Sequence, residues 1–295
     1  ENVPDGVMFR EIDCNNVEKV REASKGCEIF YHCAASAYEG LSVFSPHIVT
    51  QNIVGASVGL FSAAIANGAT RIVTCSSMAR YGGIRPPFNE LMSPSPQDPY
   101  GIGKLVVEQY LRNLCETHGV EYVIAVPHNI LGSRQRYYDP FRNVAAIMVN
   151  LMLQGRQPVI YGDGLQQRCF SDIDDCLQCL VKMAFDCSVI GHVINIGPDE
   201  EPITILELAS RIANLLSFPL TPIFMAERPQ EVKIALCSSD KARTMLGYQT
   251  QVSLDESLKK LIAFIKQRGP RPFEYHLPIE FITEKTPRTW FERLF

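Results

Sequence analysis

Three stretches decide the fold: Arg71-Ile72-Val73-Thr74-Cys75, a helical pattern from about Tyr100 to His118, and Glu121-Tyr122-Val123-Ile124-Ala125-Val126. Both short runs are β-rich and apolar without alternation, the pattern of strands buried on both faces, and the segment between them is long enough for a crossover helix. Such a βαβ unit places its two strands side by side and parallel. Toward the N-terminus the same rhythm continues. Val7 to Asp13 predicts a strand, Asn16 to Ser24 a helix, Glu28 to Cys33 a strand and Ser45 to Asn67 a helix. The expectation is an α/β protein with a doubly wound parallel sheet, whose ligands bind beyond the carboxyl ends of the strands.

Past residue 129, Pro and Gly interrupt the pattern. Helices are predicted at Phe141 to Leu153, Ile205 to Leu216 and Leu254 to Lys266, with a short strand at Pro158 to Tyr161. Helix Ile173 to Phe185 and strand His192 to Ile196 are expected to return to the first sheet. A length of 295 residues exceeds the roughly 250 to 300 at which one core stops growing. Two domains follow: 1–128 with about 172–197, and about 129–171 with 198–295, the Pro-rich stretch from Pro270 forming a surface strap.

Lys and Arg number 28 against 32 Asp and Glu, a net charge of -4, which leaves no basic footprint for nucleic acid or an anionic membrane. The opening Glu1 to Gly6 is polar and lacks a secretory pattern. Ile53 to Ala66 is apolar but shorter than the roughly 18 to 20 residues needed to span a bilayer, so it reads as a buried helix. Its small residues Gly55, Ala56, Gly59, Ala63 and Ala64 suit close packing, and a homodimer contact is expected there, against cover by the rest of the chain. The 10 cysteines are scattered, and Cys33, Cys75, Cys115 and Cys179 lie in apolar runs, which points to reduced thiols and a cytoplasmic location. Cys176-x-x-Cys179 reads as part of a core helix, and no metal site is expected.

Chemistry gathers around Tyr100 and Lys104, spaced i, i+4 on one helix face. An ammonium beside a phenol favours the phenolate, so Lys104 is expected to lower the Tyr100 pKa for general base work. Ser77 lies 23 residues earlier, after the strand ending at Cys75, and should stand at the carboxyl edge where its hydroxyl meets a substrate oxygen and the phenol.

Ser77…Tyr100-Gly101-Ile102-Gly103-Lys104 resembles the catalytic Ser/Thr-Tyr-Lys set of the extended short-chain dehydrogenase/reductases, specifically the nucleotide-sugar epimerases and dehydratases, and the resemblance covers nearly the whole chain. It implies a Rossmann-type sheet with a smaller α/β substrate domain, NAD as cofactor and a nucleotide-diphosphate sugar, UDP-linked, as substrate. His32-Cys33-Ala34-Ala35 is similar to the strand-end segment that passes the cofactor, Asp13 to the acid that reaches the adenine, and Asn52 to an Asn supporting the active-site helix. Cofactor contacts are thereby implied for Asp13, Cys33, Ala34, Ala35, Tyr100, Lys104 and His128. Pro127-His128-Asn129 resembles the segment joining nicotinamide site to sugar diphosphate, with Asn129 on phosphate. Val159-Ile160-Tyr161-Gly162-Asp163-Gly164 with Arg168 resembles the nucleotide-binding stretch, and Arg228-Pro229-Gln230-Glu231-Val232 the element whose Arg meets phosphate and whose acid meets ribose.

Two departures shape the expectation. The family's opening strand, Gly-rich turn and helix are not found near the start, which suggests a fragment of a longer protein, the alternative being a relative that has lost its pyrophosphate cradle. Met78-Ala79 stands after Ser77, where dehydratase relatives carry Asp-Glu and decarboxylase relatives a Glu, so chemistry needing an extra acid/base is disfavoured. What remains is an epimerase working at C4 through a 4-keto sugar. The alternatives are another dehydratase, reductase or decarboxylase on this scaffold, or a non-catalytic binding protein. Ala235, small where relatives limit bulk at the sugar 2-position, would admit an N-acetyl group.

Overall fold

The computed structural model describes residues 3–295, so Glu1 and Asn2 of the polar opening lie outside the described residues. Four parallel strands form the main sheet in the spatial order β1 (Ile29–His32), β2 (Arg71–Cys75), β3 (Glu121–Pro127) and β4 (Val193–Ile196). Alternate residues feed opposite cores. Ile72, Ile124 and Val126 pack with Phe30, Phe61 and Leu111 on one face, while Val73, Val123 and Ala125 meet Cys176, Leu180 and Met183 on the other. Burial on both faces is why the middle of β3, Tyr122 to Val126, is apolar throughout.

The helices are α1 (Val17–Ala23), α2 (Pro46–Ala66), α3 (Pro99–His118) and, on the opposite face, α4 (Ile173–Phe185). Asp98 caps α3 by accepting from Gly101 N, Pro99 occupies its first turn, and Gly119 ends it in the left-handed region at φ 68°. α4 buries Cys176 and Cys179 against the sheet.

Three expectations change here. Val7 to Asp13 forms no strand; it runs outside the sheet with Val7, Met8 and Phe9 exposed, because no described strand offers a ladder beside it. α2 is a 21-residue helical run, long and apolar enough to cross a membrane by length and composition, yet Val49, Ile53, Phe61, Ala63 and Ala64 are buried in the protein. Its residues Gln51–Gly55 form a π-helical turn. α1 of the same chain lies against it at Gly59, where a Cβ would stand 2.8 Å from Val17 Cγ2, so part of the surface assigned to a second copy already has a partner. Lastly, the helix expected from Phe141 starts at Val144, since Phe141 is drawn into a cluster with Leu41, Phe44 and Trp290.

A separate core gathers Met148, Val149, Leu208, Ile212, Leu258, Leu261 and Ile265 from helices Val144–Leu153, Ile205–Leu216 and Leu254–Arg268. The last two open with capping boxes, Thr204 with Glu207 and Ser253 with Glu256. Strand Gln167–Arg168 lies between Ile203–Thr204 and Ile234–Ala235, and Val159–Tyr161 pairs with Ile223–Met225. The tail is anchored at both ends of its course. Trp290 is buried, and the Glu280 carboxylate accepts from His47 N and Ile48 N at 3.0 and 2.7 Å, meeting unpaired donors at the start of α2.

Candidate active site

β2 is followed by Ser76 and Ser77 and then by the 3₁₀ turn Met78–Arg80. Ser76 points inward and donates to the Glu108 carboxylate, and Arg80 Nε stands 2.9 Å from the same oxygen, with all three side chains buried. Ser77 is half-buried; its hydroxyl accepts from Ala79 N at 3.2 Å. Gly101 brings the first turn of α3 onto this turn, for a Cβ there would be 2.6 Å from the Ala79 carbonyl oxygen. Asp98 holds the same turn through Gly101 N at 2.9 Å and receives a weaker bond from Ser42 Oγ at 3.4 Å.

Tyr100 is thereby carried to Ser77. Burial pushes its phenol up to about 12, opposed by hydrogen bonding from the Ser77 hydroxyl and by the Arg142 charge, while Glu39 and Asp98 add to the rise. This corrects the expected acidification by Lys104. The Lys104 ammonium, 5% exposed, donates to the Cys75 carbonyl at 2.8 Å, and burial holds its pKa below the ordinary lysine value against the pull of Cys75, Cys33 and Glu108. An ammonium has three donors and Lys104 spends one within the protein. The remaining two suit the paired hydroxyls of a ribose, and the exposed, small Ala34 beside exposed Cys33 leaves space at the end of β1. These residues fit the nicotinamide-ribose end of a dinucleotide.

Other expected cofactor residues stand differently. The Asp13 carboxylate is exposed and accepts from Asn15 N and Nδ2; Asn15 Nδ2 also donates to Asn52 Oδ1 at 3.2 Å, and Asn52 Nδ2 to Ser36 Oγ at 3.0 Å. Asn52 thus ties the π-helical turn to the loop after β1. His128 is enclosed: its Nε2 lies 3.2 Å from the Pro198 carbonyl, its N–H bonds Ile196 and its carbonyl accepts from Ser171. Gly197, at φ 145°, packs so closely that a Cβ would meet His128 Nε2 at 2.5 Å. His128 is 1% exposed, and its Nδ1 has no hydrogen-bond partner among the described residues.

The expected nucleotide-sugar residues form a second group. Asn129, with φ 45°, donates from Nδ2 to the Cys169 carbonyl at 2.8 Å. Arg168 turns its guanidinium onto the carbonyls of Gln167, Val232 and Lys233. Arg228 forks onto Glu231 at 2.6 and 3.3 Å and lies 4.8 Å over the Tyr161 ring. Tyr161 OH is hydrogen-bonded to Thr289 from the tail, and half-buried Val159 begins the same strand. Ala235 is buried and pairs with Arg168 across the strands.

Sequence reasoning missed Glu39. It lies between the two groups: Ser42, one turn on, bonds both the Glu39 carbonyl and Asp98, and Gly40 packs against Arg228 and Trp290. Its carboxylate makes no hydrogen bond or ion pair with another described residue. Although exposed, it is crowded by protein, which pushes the carboxyl up to about 7 with help from Asp98, while Arg168 and Arg228 oppose. An acid shortly after the strand-end segment, beyond Ser36-Ala37-Tyr38, was the available signal. Arg142 was missed as well; with Tyr38, Gln135 and Asn143 it lines a cavity of about 400 Å³.

A parallel sheet with Ser, Tyr and Lys gathered at its carboxyl edge, flanked by a second α/β core, defines a Rossmann-type protein. The chain belongs to the NAD dependent epimerase/dehydratase family, whose model matches residues 1–197. It is 31% identical over 247 residues to a UDP-glucose 4-epimerase of Mycolicibacterium smegmatis, covering 82% of this chain and 77% of that protein. Among solved structures it is similar to the UDP-glucose 4-epimerase of Thermotoga maritima with UDP-glucose, at TM-score 0.85 and 26% identity over 90% of this chain and 87% of that one. The UDP-glucuronic acid 4-epimerase of Bacillus cereus, in complex with UDP-glucuronic acid and NAD, gives 0.81 and 27% over 88% and 82%.

Proposed function

We propose that the protein is a UDP-sugar 4-epimerase that uses NAD. The observation that carries this reading is the joint placement of Ser77, Tyr100 and Lys104 at the carboxyl edge, with Arg168, Arg228, Glu231 and Tyr161 gathered beyond Glu39. NAD supplies a hydride acceptor that later returns the hydride. Tyr100 Oη takes the proton of the sugar 4-hydroxyl and gives it back after the 4-keto sugar has turned, Ser77 hydrogen-bonds the same oxygen, and Lys104 holds the cofactor ribose. A phenol near 12 must be drawn down before it can act as base at neutral pH, and bound NAD+ would supply positive charge for that. Arg228 and Arg168 face the diphosphate, Glu231 the ribose, and Asn129, Val159 and Tyr161 the rest of the nucleotide. In this reading residues 1–128 with about 172–197 serve the cofactor, and about 129–171 with 198–295 the nucleotide sugar.

Incubation with NAD+ and UDP-glucose, UDP-N-acetylglucosamine or UDP-glucuronic acid, followed by NMR of the products, tests the assignment. Interconversion of 4-epimers is expected. A product lacking one water would favour dehydration instead, a second reading that Glu39 supports by placing a carboxyl near Tyr100 despite Met78 and Ala79. We further propose a homodimer through the remaining exposed face of α2 and the neighbouring Ile102 and Tyr110 of α3, exposed at 49% and 46%, and a cytoplasmic location. Sedimentation at micromolar concentration should show a dimer, and a monomer would remove that part.

A further inference from the structure

Cys33 follows β1 and Cys75 ends β2, the two strands being paired in parallel up to His32 with Thr74. The next step of that register sets the two cysteines side by side, and their sulfurs stand 3.7 Å apart. Neighbouring strands are about 4.8 Å apart, inside the Cα separation of about 4.4 to 6.8 Å that a disulfide accepts. Closing the sulfurs to about 2.0 Å needs side-chain rotation and little else. None of the ten cysteines is disulfide-bonded, and Cys115, Cys237, Cys176 and Cys179 are distributed through two separate cores.

We propose that Cys33 and Cys75 are an oxidisable dithiol site, at which a low-molecular-weight disulfide is reduced while the two thiols become one disulfide across the mouth of β1 and β2. Cys33 is the attacking group: it is exposed, whereas Cys75 is half-buried behind it. Hydrogen bonding from Cys75 holds the Cys33 thiol below its ordinary value, aided by the Lys104 charge and opposed by burial, and the same contact pushes Cys75 far up. The Cys33 thiolate attacks one sulfur of the small disulfide and expels its other half as a thiolate. Cys75 then gives up its proton and attacks Cys33 sulfur; the protein S–S bond forms, the mixed disulfide breaks, and the second half leaves as a thiolate that takes up the proton. Two protein thiols are oxidised and one small disulfide is reduced to two thiols.

The site touches the chemistry above through one atom group. The Cys75 carbonyl carries the Lys104 ammonium, so the cross-link is anchored at that support. On the reading of this edge as the dinucleotide edge, bound NAD+ covers Cys33 and slows its reaction.

The test uses the whole chain with oxidised glutathione at pH 7, and peptide mass spectrometry. A Cys33–Cys75 cross-linked peptide with loss of two hydrogens is expected, reversed by dithiothreitol. Cys75→Ser should stop at a glutathione adduct on Cys33, and Cys33→Ser should give neither product. In the unaltered protein, where folding of variants is not in question, Cys33 should alkylate at least threefold faster than exposed Cys27 and Cys187. That figure follows because each tenfold gain in thiolate fraction is offset by about a threefold loss of nucleophilicity. Absence of the cross-link, or Cys33 reacting no faster than those two cysteines, overturns the proposal. A cross-link that forms equally fast with saturating NAD+ supports the dithiol site and counts against the cofactor reading alone.

Discussion

Removing Glu108 should cost far more than one surface carboxylate, because it is 1% exposed and shares its oxygen between Ser76 and the guanidinium of Arg80, itself 5% exposed. Burial raises the Glu108 pKa even against Arg80 and Ser76, so the pair does not recover the whole cost of leaving water. Replacing Glu108 by Leu leaves Arg80 with a 3.3 Å bond to Tyr81 OH and a place over that ring, but with its buried charge uncompensated. Breaking such a pair from one side costs about 3 to 5 kcal/mol, a large part of the roughly 5 to 15 that hold a domain together. Urea denaturation followed by circular dichroism should show the midpoint falling by about 1 to 2 M at a slope near 3 kcal/mol per M. The double variant Arg80→Met, Glu108→Leu removes both charges and should recover most of the loss, a coupling of at least about 2 kcal/mol in a double-mutant cycle. A single variant costing under about 1 kcal/mol, or a double variant costing the sum of the singles, would refute the view that burial makes this pair interdependent.

Four further outcomes follow from the site. Tyr100→Phe should keep nucleotide-sugar binding by calorimetry while lowering turnover about 10²- to 10⁴-fold; unchanged turnover would take the phenol out of the reaction. With its pKa raised to about 12, Tyr100 should show no phenolate absorbance at pH 9 in the cofactor-free protein, judged against the Phe variant, and should titrate lower with NAD+ bound. Glu39→Gln should remove an inflection near pH 7 from kcat/KM, since this carboxyl passes from neutral acid to carboxylate there. Its folded-state value also lies above its unfolded one of 4.5, so its stabilising contribution is full below about 4.5 and lost as pH rises through 7; a wild-type stability curve parallel to that of the variant would contradict this. Gly101→Ala should displace the first turn of α3 from the Ala79 carbonyl and lower kcat more than it raises KM, and kinetics matching wild type would show that the close packing is not needed.

What the amino-acid order fixed alone was what local pattern encodes. Strands β1 to β4 and helices α3 and α4 were legible because short β-rich runs, most continuously apolar in β3, alternate with helical patterns and because Asp98, Pro99 and Gly119 mark helix ends in the chain itself. Spacing likewise put Tyr100 and Lys104 on one helix face, and their family pattern with Ser77 followed from the same short stretches. Tertiary packing alone decided the electrostatics and the partners. Lys104 reaches the Cys75 carbonyl instead of acidifying Tyr100, His128 is closed in by Gly197, Val7 to Asp13 has no described strand to join, and Glu39 is carried between Tyr100 and Arg228 by the short helix Glu39–Ser42. Desolvation, neighbouring charge and the availability of a ladder depend on atoms far away in sequence. No window of neighbouring residues contains them.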